Sequence, residues 1–267
     1  MSLAHQLTPS LKQLRLSGIL DTLEVRNQQA ISEKWSYLEF LTRLIQDEVE
    51  RRGQKQLDLR VRRSGINTTK TLESFDFGFN PTINRQQLYD LASCEFIRAR
   101  RNALICGQTG VGKSHLAQSV AHEAARKGFA VVFTSAHAML THINAGRADG
   151  TYERRLAGYL TPQLLVIDDF GLKPLPLPAG PADLFDVIDG RYEKASIVLT
   201  SNRSPSEWHD LFGDPLLASA GLDRLAHRAS VVLITGQSYR LATHSAAPEG
   251  ALFAPLPTPT APPRGTP

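Results

Sequence analysis

Five short apolar runs, separated by longer segments with helical spacing, dominate the second half of this chain. Residues 103–106, 130–134, 164–168, 197–200 and 231–234 are each bounded by turns or polar clusters. Runs this short, alternating with amphipathic helices, predict a parallel sheet with crossover helices and strands buried on both faces. The sheet region spans about 76–245. Residues 1–75 carry helical spacing only. Leu11, Leu14, Ile19 and Leu23 recur at near-helical intervals, with Gly18 as an interruption. A second helix is predicted to open at Ser36, where Ser36 and Glu39 form a capping box. Its Leu38, Leu41, Ile45 and Val49 fall on one face, expected to be a helix-packing core. Residues 246–267 are dominated by Ala, Pro, Thr and Gly; they have too little to bury and predict a disordered tail. No internal repeat is visible. The expected fold class is α/β, a five-stranded parallel sheet flanked by helices and preceded by a small all-α domain.

Composition excludes several function classes. In 267 residues, 42% are hydrophobic and 21% charged, as in ordinary soluble globular proteins. No apolar run approaches the roughly 18 residues that span a bilayer, so no membrane partner is expected. The first residues lack a basic start followed by an apolar stretch, so no secretion signal is read there. Cys94 and Cys106 are the only cysteines. Neither belongs to a C-x-x-C unit, and His115 and His122 do not complete metal-ligand spacing. They read as reduced core thiols of a cytoplasmic protein. The net charge of +4 permits a polyanionic partner without requiring one. Charge is concentrated in 51–70, where Arg51, Arg52, Lys55, Arg60, Arg62, Arg63 and Lys70 face one acid, Asp58. Such a run is most often a solvated helix face; nucleic acid is the alternative.

The chemistry is carried by G-Q-T-G-V-G-K-S: Gly107, Gln108, Thr109, Gly110, Val111, Gly112, Lys113 and Ser114, with His115 next in line. A strand just before and a helix just after are the context that a P-loop needs. Glycines let backbone N–H groups turn inward around phosphates, and the helix N-terminus adds its positive end. Lys113 is expected on the β- and γ-phosphates of ATP and Ser114 on Mg²⁺. The run Leu164-Leu165-Val166-Ile167 then delivers Asp168 and Asp169 to a strand end, where ligands of open α/β sheets bind. Asp168 is the expected metal-side carboxylate. Asp169 is the expected base for the attacking water. Asn202, just past the fourth strand, is a candidate to hold that water; a turn cap before Ser204-Pro205 is the alternative.

These residues resemble an AAA+ P-loop ATPase, and within that superfamily the IstB family of helper ATPases encoded beside insertion-sequence transposases. The resemblance covers most of 1–245. It is most specific in LLVIDDFGLKPL (164–175), DVIDGRYEKASIVLTSNR (186–203), SEWHDLFGD (206–214), LDRLAHRA (222–229) and GQSYR (236–240). It implies that Asn202 is the first sensor, that Arg240 contacts nucleotide in its own subunit, and that Arg224 is the arginine finger for a neighbouring subunit, with Arg228 as competitor. Many AAA+ proteins carry Glu where this chain has Asp169, which implies slow basal turnover.

The resemblance further implies an ATP-dependent ring or helical oligomer that binds duplex DNA and assists a cognate transposase in target selection. Two basic regions are candidates for that DNA: 51–70, and Arg147, Arg154 and Arg155 around the turn between Gly146 and Gly150. No aromatic ladder interleaves these charges, so backbone contacts are expected rather than base stacking. The alternatives are a DnaC-like helicase loader and an ATP-gated DNA-binding module in which hydrolysis only resets the protein.

Overall fold

The computed structural model describes residues 3–212 and 214–244. The chain opens with α1 (Leu3–Gln13), α2 (Ser17–Glu33) and the long α3 (Tyr37–Ser64), then α4 (Arg85–Ala92) and α5 (Glu95–Arg98). Strands and helices alternate from there: β1 (Ala103–Gly107), α6 (Lys113–Arg126), β2 (Val131–Ser135), α7 (Ala136–Ala148), α8 (Tyr152–Leu160), β3 (Leu164–Phe170), α9 (Gly180–Arg191) and β4 (Ser196–Ser201). The short α10 (His209–Phe212), α11 (Pro215–Ala226), β5 (Ser230–Ile234) and α12 (Tyr239–His244) complete it. All five strands fall within one residue of the expected starts and within two of the expected ends. The expected tail, 246–267, lies outside the described residues.

The sheet is wholly parallel, in the order β2-β3-β4-β1-β5. Alternate side chains divide the core between its two faces. Ala103 and Ile105 of β1 pack toward α6, α4 and the end of α3; Leu104 and Cys106 pack toward α7, α9 and α11. Leu116, Ala117, Val120, Ala121, Ala124 and Ala125 are fully buried on α6, and the four alanines let that helix lie close to the strands. Burial on both faces holds for the central strands only. At the β5 edge Val232 and Ile234 are buried, while Val231 and Leu233 are 41% and 66% exposed. Cys94 and Cys106 are buried free thiols, and burial pushes both up to about 11.

The N-terminal helices depart from the expected core. Gly18 does not weaken a helix; it starts one. Its N–H donates to Glu48 Oε2 at 2.6 Å, and a Cβ there would lie 2.7 Å from Glu48 Cα. Arg26 and Asp47 add an ion pair at 2.7 Å between α2 and α3. Ser36 caps α3 by accepting from Glu39 N, whereas the Glu39 carboxylate turns to Arg43. Leu38, Leu41, Ile45 and Val49 do share a face, but each is at least half exposed, so the face is not the buried core expected. The buried contacts of α3 come from Leu44, Glu48, Val61 and Ser64 instead. Among the described residues no helix is long and apolar enough to cross a membrane.

Candidate nucleotide-binding site

The turn from β1 into α6 is built by two left-handed glycines, Gly110 (φ 85°) and Gly112 (φ 99°). Space forbids a side chain at either. A Cβ on Gly110 would meet Ser238 Oγ at 2.0 Å, and one on Gly112 would meet the Phe75 ring at 2.8 Å. Tyr239 N–H donates to Gly110 O at 3.0 Å, so the start of α12 is pinned over the loop. Lys113 is buried and its Nζ donates to Gln108 O at 2.8 Å, spanning the loop from inside. Burial lowers its pKa; the nearby Asp169 and Asp168 act in the opposite direction.

Beside the loop, β3 ends in two carboxylates of different character. Asp168 is buried and stands opposite Ser135 of β2 in the register. Asp169 is turned out by a left-handed backbone (φ 55°), and the pairing with β4 is interrupted between Ile167 and Phe170. A non-glycine residue in this region is uncommon, and such strain concentrates at functional sites. Thr200 holds both residues from β4. Its hydroxyl donates to Asp168 Oδ1 and accepts from Asp169 N–H at 3.0 Å. Thr200 is fully buried. Partial burial and then the Asp168 charge raise the Asp169 pKa, against the pull of Lys113 and Arg240.

Asp168 is buried against Thr200, whereas Gly110, Gly112, Lys113 and Asp169 face one cavity of about 330 Å³ that also receives Thr109, Val111, Ser114, His115, Asn202, Tyr239 and Arg240. Its size lies within the range of small-molecule sites. The remaining wall, Ser74, Phe75, Asp76, Phe79, Asn80 and Lys70, comes from the segment that precedes α4; residues 71–92 resemble the IstB family's lead into the ATPase core, but that resemblance assigns none of them to the nucleotide. That segment is fastened to α6. His115 Nε2 lies 3.1 Å from Thr71 O and 3.2 Å from Ser74 Oγ, and its ring meets Phe75 edge-on at 5.1 Å. Phe79 likewise meets Tyr239 at 4.9 Å.

Of the nucleotide-site candidates read from the sequence, Gly107, Gln108 and Asp168 do not line this cavity although they lie within two residues of ones that do, and Arg224 is remote from it. Arg224 Nε bonds Asp189 Oδ1 at 2.8 Å and its Nη1 donates to Ala220 O at 2.9 Å. Its ion-pair partner is therefore Asp189 of α9. It lines a separate hollow with Arg100, Arg101, Asn102, His227 and Arg228. Arg101 and Asn102 directly precede β1, and Arg228 lies two residues before β5. Arg224 thus sits at the N-terminal ends of strands whose C-terminal ends carry the P-loop. Five residues of strand, at about 3.3 Å each, put roughly 16 Å between them.

The basic candidates divide. Arg147 is a structural residue: its guanidinium forms a two-bond pair with the fully buried Asp183, at 2.6 and 2.9 Å, and lies over the Tyr152 ring. All three donor positions of Arg155 are used, by Thr151, His142 O and Asp149. Arg51 and Arg52 pair with Asp21 and Glu48, and Arg60 reaches Gln56. Lys55, Arg62, Arg63 and Arg154 are exposed and have no side-chain partner among the described residues.

The comparisons with known proteins agree with this geometry. A family described as IstB-like ATP binding protein matches residues 9–247. A protein of insertion sequence IS232 from Bacillus thuringiensis subsp. berliner, named for ATP binding, is 37% identical over 240 residues, 90% of this chain and 96% of that one. The corresponding IS21 protein of Pseudomonas aeruginosa is 35% identical over 238 residues, 89% of each chain. Among solved structures, AMPPCP-bound DnaA from Aquifex aeolicus superposes with a TM-score of 0.53 at 26% identity, covering 66% of this chain and 53% of that chain. The DnaC helicase loader superposes at 0.52 and 18% identity, covering 62% and 97%, which speaks for a shared fold. The chain has the AAA+ P-loop fold and belongs to the IstB family of insertion-sequence ATP-binding proteins.

Proposed function

We propose that this protein is an ATPase that assembles on duplex DNA and assists an insertion-sequence transposase in choosing its target. One observation carries the reading. The cavity gathers P-loop residues 109–114, Asp169, Asn202 and Arg240, with the buried Asp168 next to Asp169 on β3, while Arg224 stands at the opposite end of the sheet. A site that needs this arginine is completed only by a second subunit. An arginine supplied in trans contributes roughly 10³–10⁵ in rate, so assembly switches hydrolysis on.

Lys113 neutralises the triphosphate from within the loop, and the N-terminus of α6 supplies further positive potential. Asp169 accepts the proton of the attacking water, which the Asn202 amide holds. Arg240 steadies the nucleotide from α12. Ser114 and Asp168 offer a hydroxyl and a carboxylate, hard oxygen donors too few to cage a metal alone, and among the described residues no cluster of three or more metal-binding side chains exists. That set fits Mg²⁺, which keeps waters and phosphate oxygens in its shell and would neutralise charge developing on the phosphates. DNA is met by Lys55, Arg62, Arg63 and Arg154, whose charges have no internal use, through contacts to the phosphate backbone.

The test is ATP hydrolysis and particle size, with and without duplex DNA, for wild type and Arg224→Ala. Wild type forms larger particles with ATP and DNA and hydrolyses faster in them; R224A assembles and stays slow. An R224A protein that hydrolyses ATP at the wild-type rate on DNA overturns the shared site.

A further inference from the structure

We infer that Asp189 is the positioning residue that aims Arg224 at a neighbouring subunit's γ-phosphate. This rests on the shared-site reading above. Arg224 shares its hollow with three other arginines, Arg100, Arg101 and Arg228, against one acid, Glu193. Repulsion alone would drive its guanidinium outward into water. Three contacts oppose that. Asp189 Oδ1 takes Nε at 2.8 Å, the α11 carbonyl of Ala220 takes Nη1 at 2.9 Å, and the Phe185 ring lies 5.4 Å below the guanidinium carbon. Asp189 is the only acid bonded to it among the described residues. With Nε and Nη1 occupied, the Nη2 edge remains to meet an anion from outside.

Arg228, four residues further on, has none of this. It is exposed and no side-chain partner holds it among the described residues. Of the two arginines, the pre-oriented one loses less freedom on meeting a phosphate, which selects Arg224. Asp189 and Arg224 are both partly open to solvent, at 50% and 32% side-chain exposure. An ion pair so exposed adds little to folding stability, so its use lies in orientation. A misplacement of about 1 Å costs on the order of 10²-fold in rate.

The experiment measures kcat and KM for ATP hydrolysis on saturating duplex DNA for the full chain as wild type, R224A, D189A, D189N and D223A, with melting temperatures alongside. D189A is expected to lower kcat about 10-fold or more with KM unchanged. D189N, which keeps an acceptor oxygen but not the charge, is expected to lose about 3-fold. D223A, whose carboxylate does not touch Arg224, is expected to match wild type. A structural role would lower the melting temperature without this graded loss of kcat. Wild-type kcat in D189N, or equal losses in D189A and D223A, overturns the assignment while R224A stays impaired. Wild-type kcat in R224A instead overturns the shared site itself.

Discussion

Replacing Thr200 by Val removes one hydroxyl and almost no volume, and it isolates the link between β4 and the two carboxylates of β3. Two hydrogen bonds disappear: Thr200 to the buried Asp168, and Asp169 N–H to Thr200. The first involves a charge and is worth about 1.5–3 kcal/mol; the second is neutral and worth about 1 kcal/mol. The expected loss of stability is therefore about 2.5–4 kcal/mol, or roughly 5–15 °C in melting temperature for a domain of this size. Catalysis is expected to suffer separately. Thr200 Oγ1 holds the outturned Asp169 backbone N–H, so its release lets the carboxylate drift. We expect kcat to fall about 10–100-fold, while ATP affinity changes less than about 3-fold because Lys113 and its loop are untouched. Urea melts, nucleotide titration and steady-state hydrolysis read the three quantities. Thr200→Ser is the matched control: it keeps the hydroxyl, loses one buried methyl worth about 1 kcal/mol, and is expected to hydrolyse ATP normally. If T200S and T200V lose the same activity, the hydroxyl is not the link.

Gly112→Ala places a Cβ 2.8 Å from the Phe75 ring at a φ of 99°; it is expected to weaken ATP binding more than about 10-fold and to cost over about 1 kcal/mol in a urea melt. Arg147→Ala strips a two-bond partner from buried Asp183 and is expected to destabilise by about 3–5 kcal/mol, with no change in the salt dependence of DNA binding once the folded fraction is corrected for. Arg154→Ala is expected to do the reverse: normal stability, and a slope of log affinity against log salt shallower by about 1. Glu73 is held down at about 2, from an ordinary 4.5, by the Thr71 hydroxyl, its own backbone N–H and Arg126. A depressed carboxyl stabilises fully above its unfolded pKa and loses that contribution as pH falls through the folded one. The deficit of Glu73→Gln against wild type, below about 1 kcal/mol because the side chain is exposed, should shrink between pH 4.5 and pH 2; a constant deficit across that window contradicts the assignment.

The central strands were legible because β1, β3 and β4 are buried on both faces and read as unbroken apolar runs. The P-loop was legible because phosphate chemistry demands glycine, lysine and serine at fixed spacing. What failed is equally physical. Spacing puts Leu38, Leu41, Ile45 and Val49 on one face but says nothing of what covers it, and in the fold the neighbours of α3 approach from another side. Thr200 escaped notice because a β-branched residue in a strand is already explained by strand preference. Arg147 read as a free charge because its partner, Asp183, lies 36 residues away. The aromatic wall of the cavity, Phe75 and Phe79, precedes the P-loop by some thirty residues, and only the fold brings Phe75 against Gly112 and His115 and Phe79 against Tyr239. Asn202 was legible from its position at a strand end and Arg240 from the family resemblance alone, and both reach the cavity.

The placement of Arg224 and the P-loop at opposite ends of one parallel sheet has a consequence for counting. A contact that joins them is head-to-tail, so it uses two different surfaces and leaves one of each unused at the ends of any open row. A row of n subunits then contains n − 1 finished sites, and only a closed ring contains n. Under the proposed shared site, the end subunit that presents its cavity outward would lack the trans arginine and hydrolyse its nucleotide last. Such a row carries a built-in direction, and its two tips differ in chemistry although every chain in it is the same.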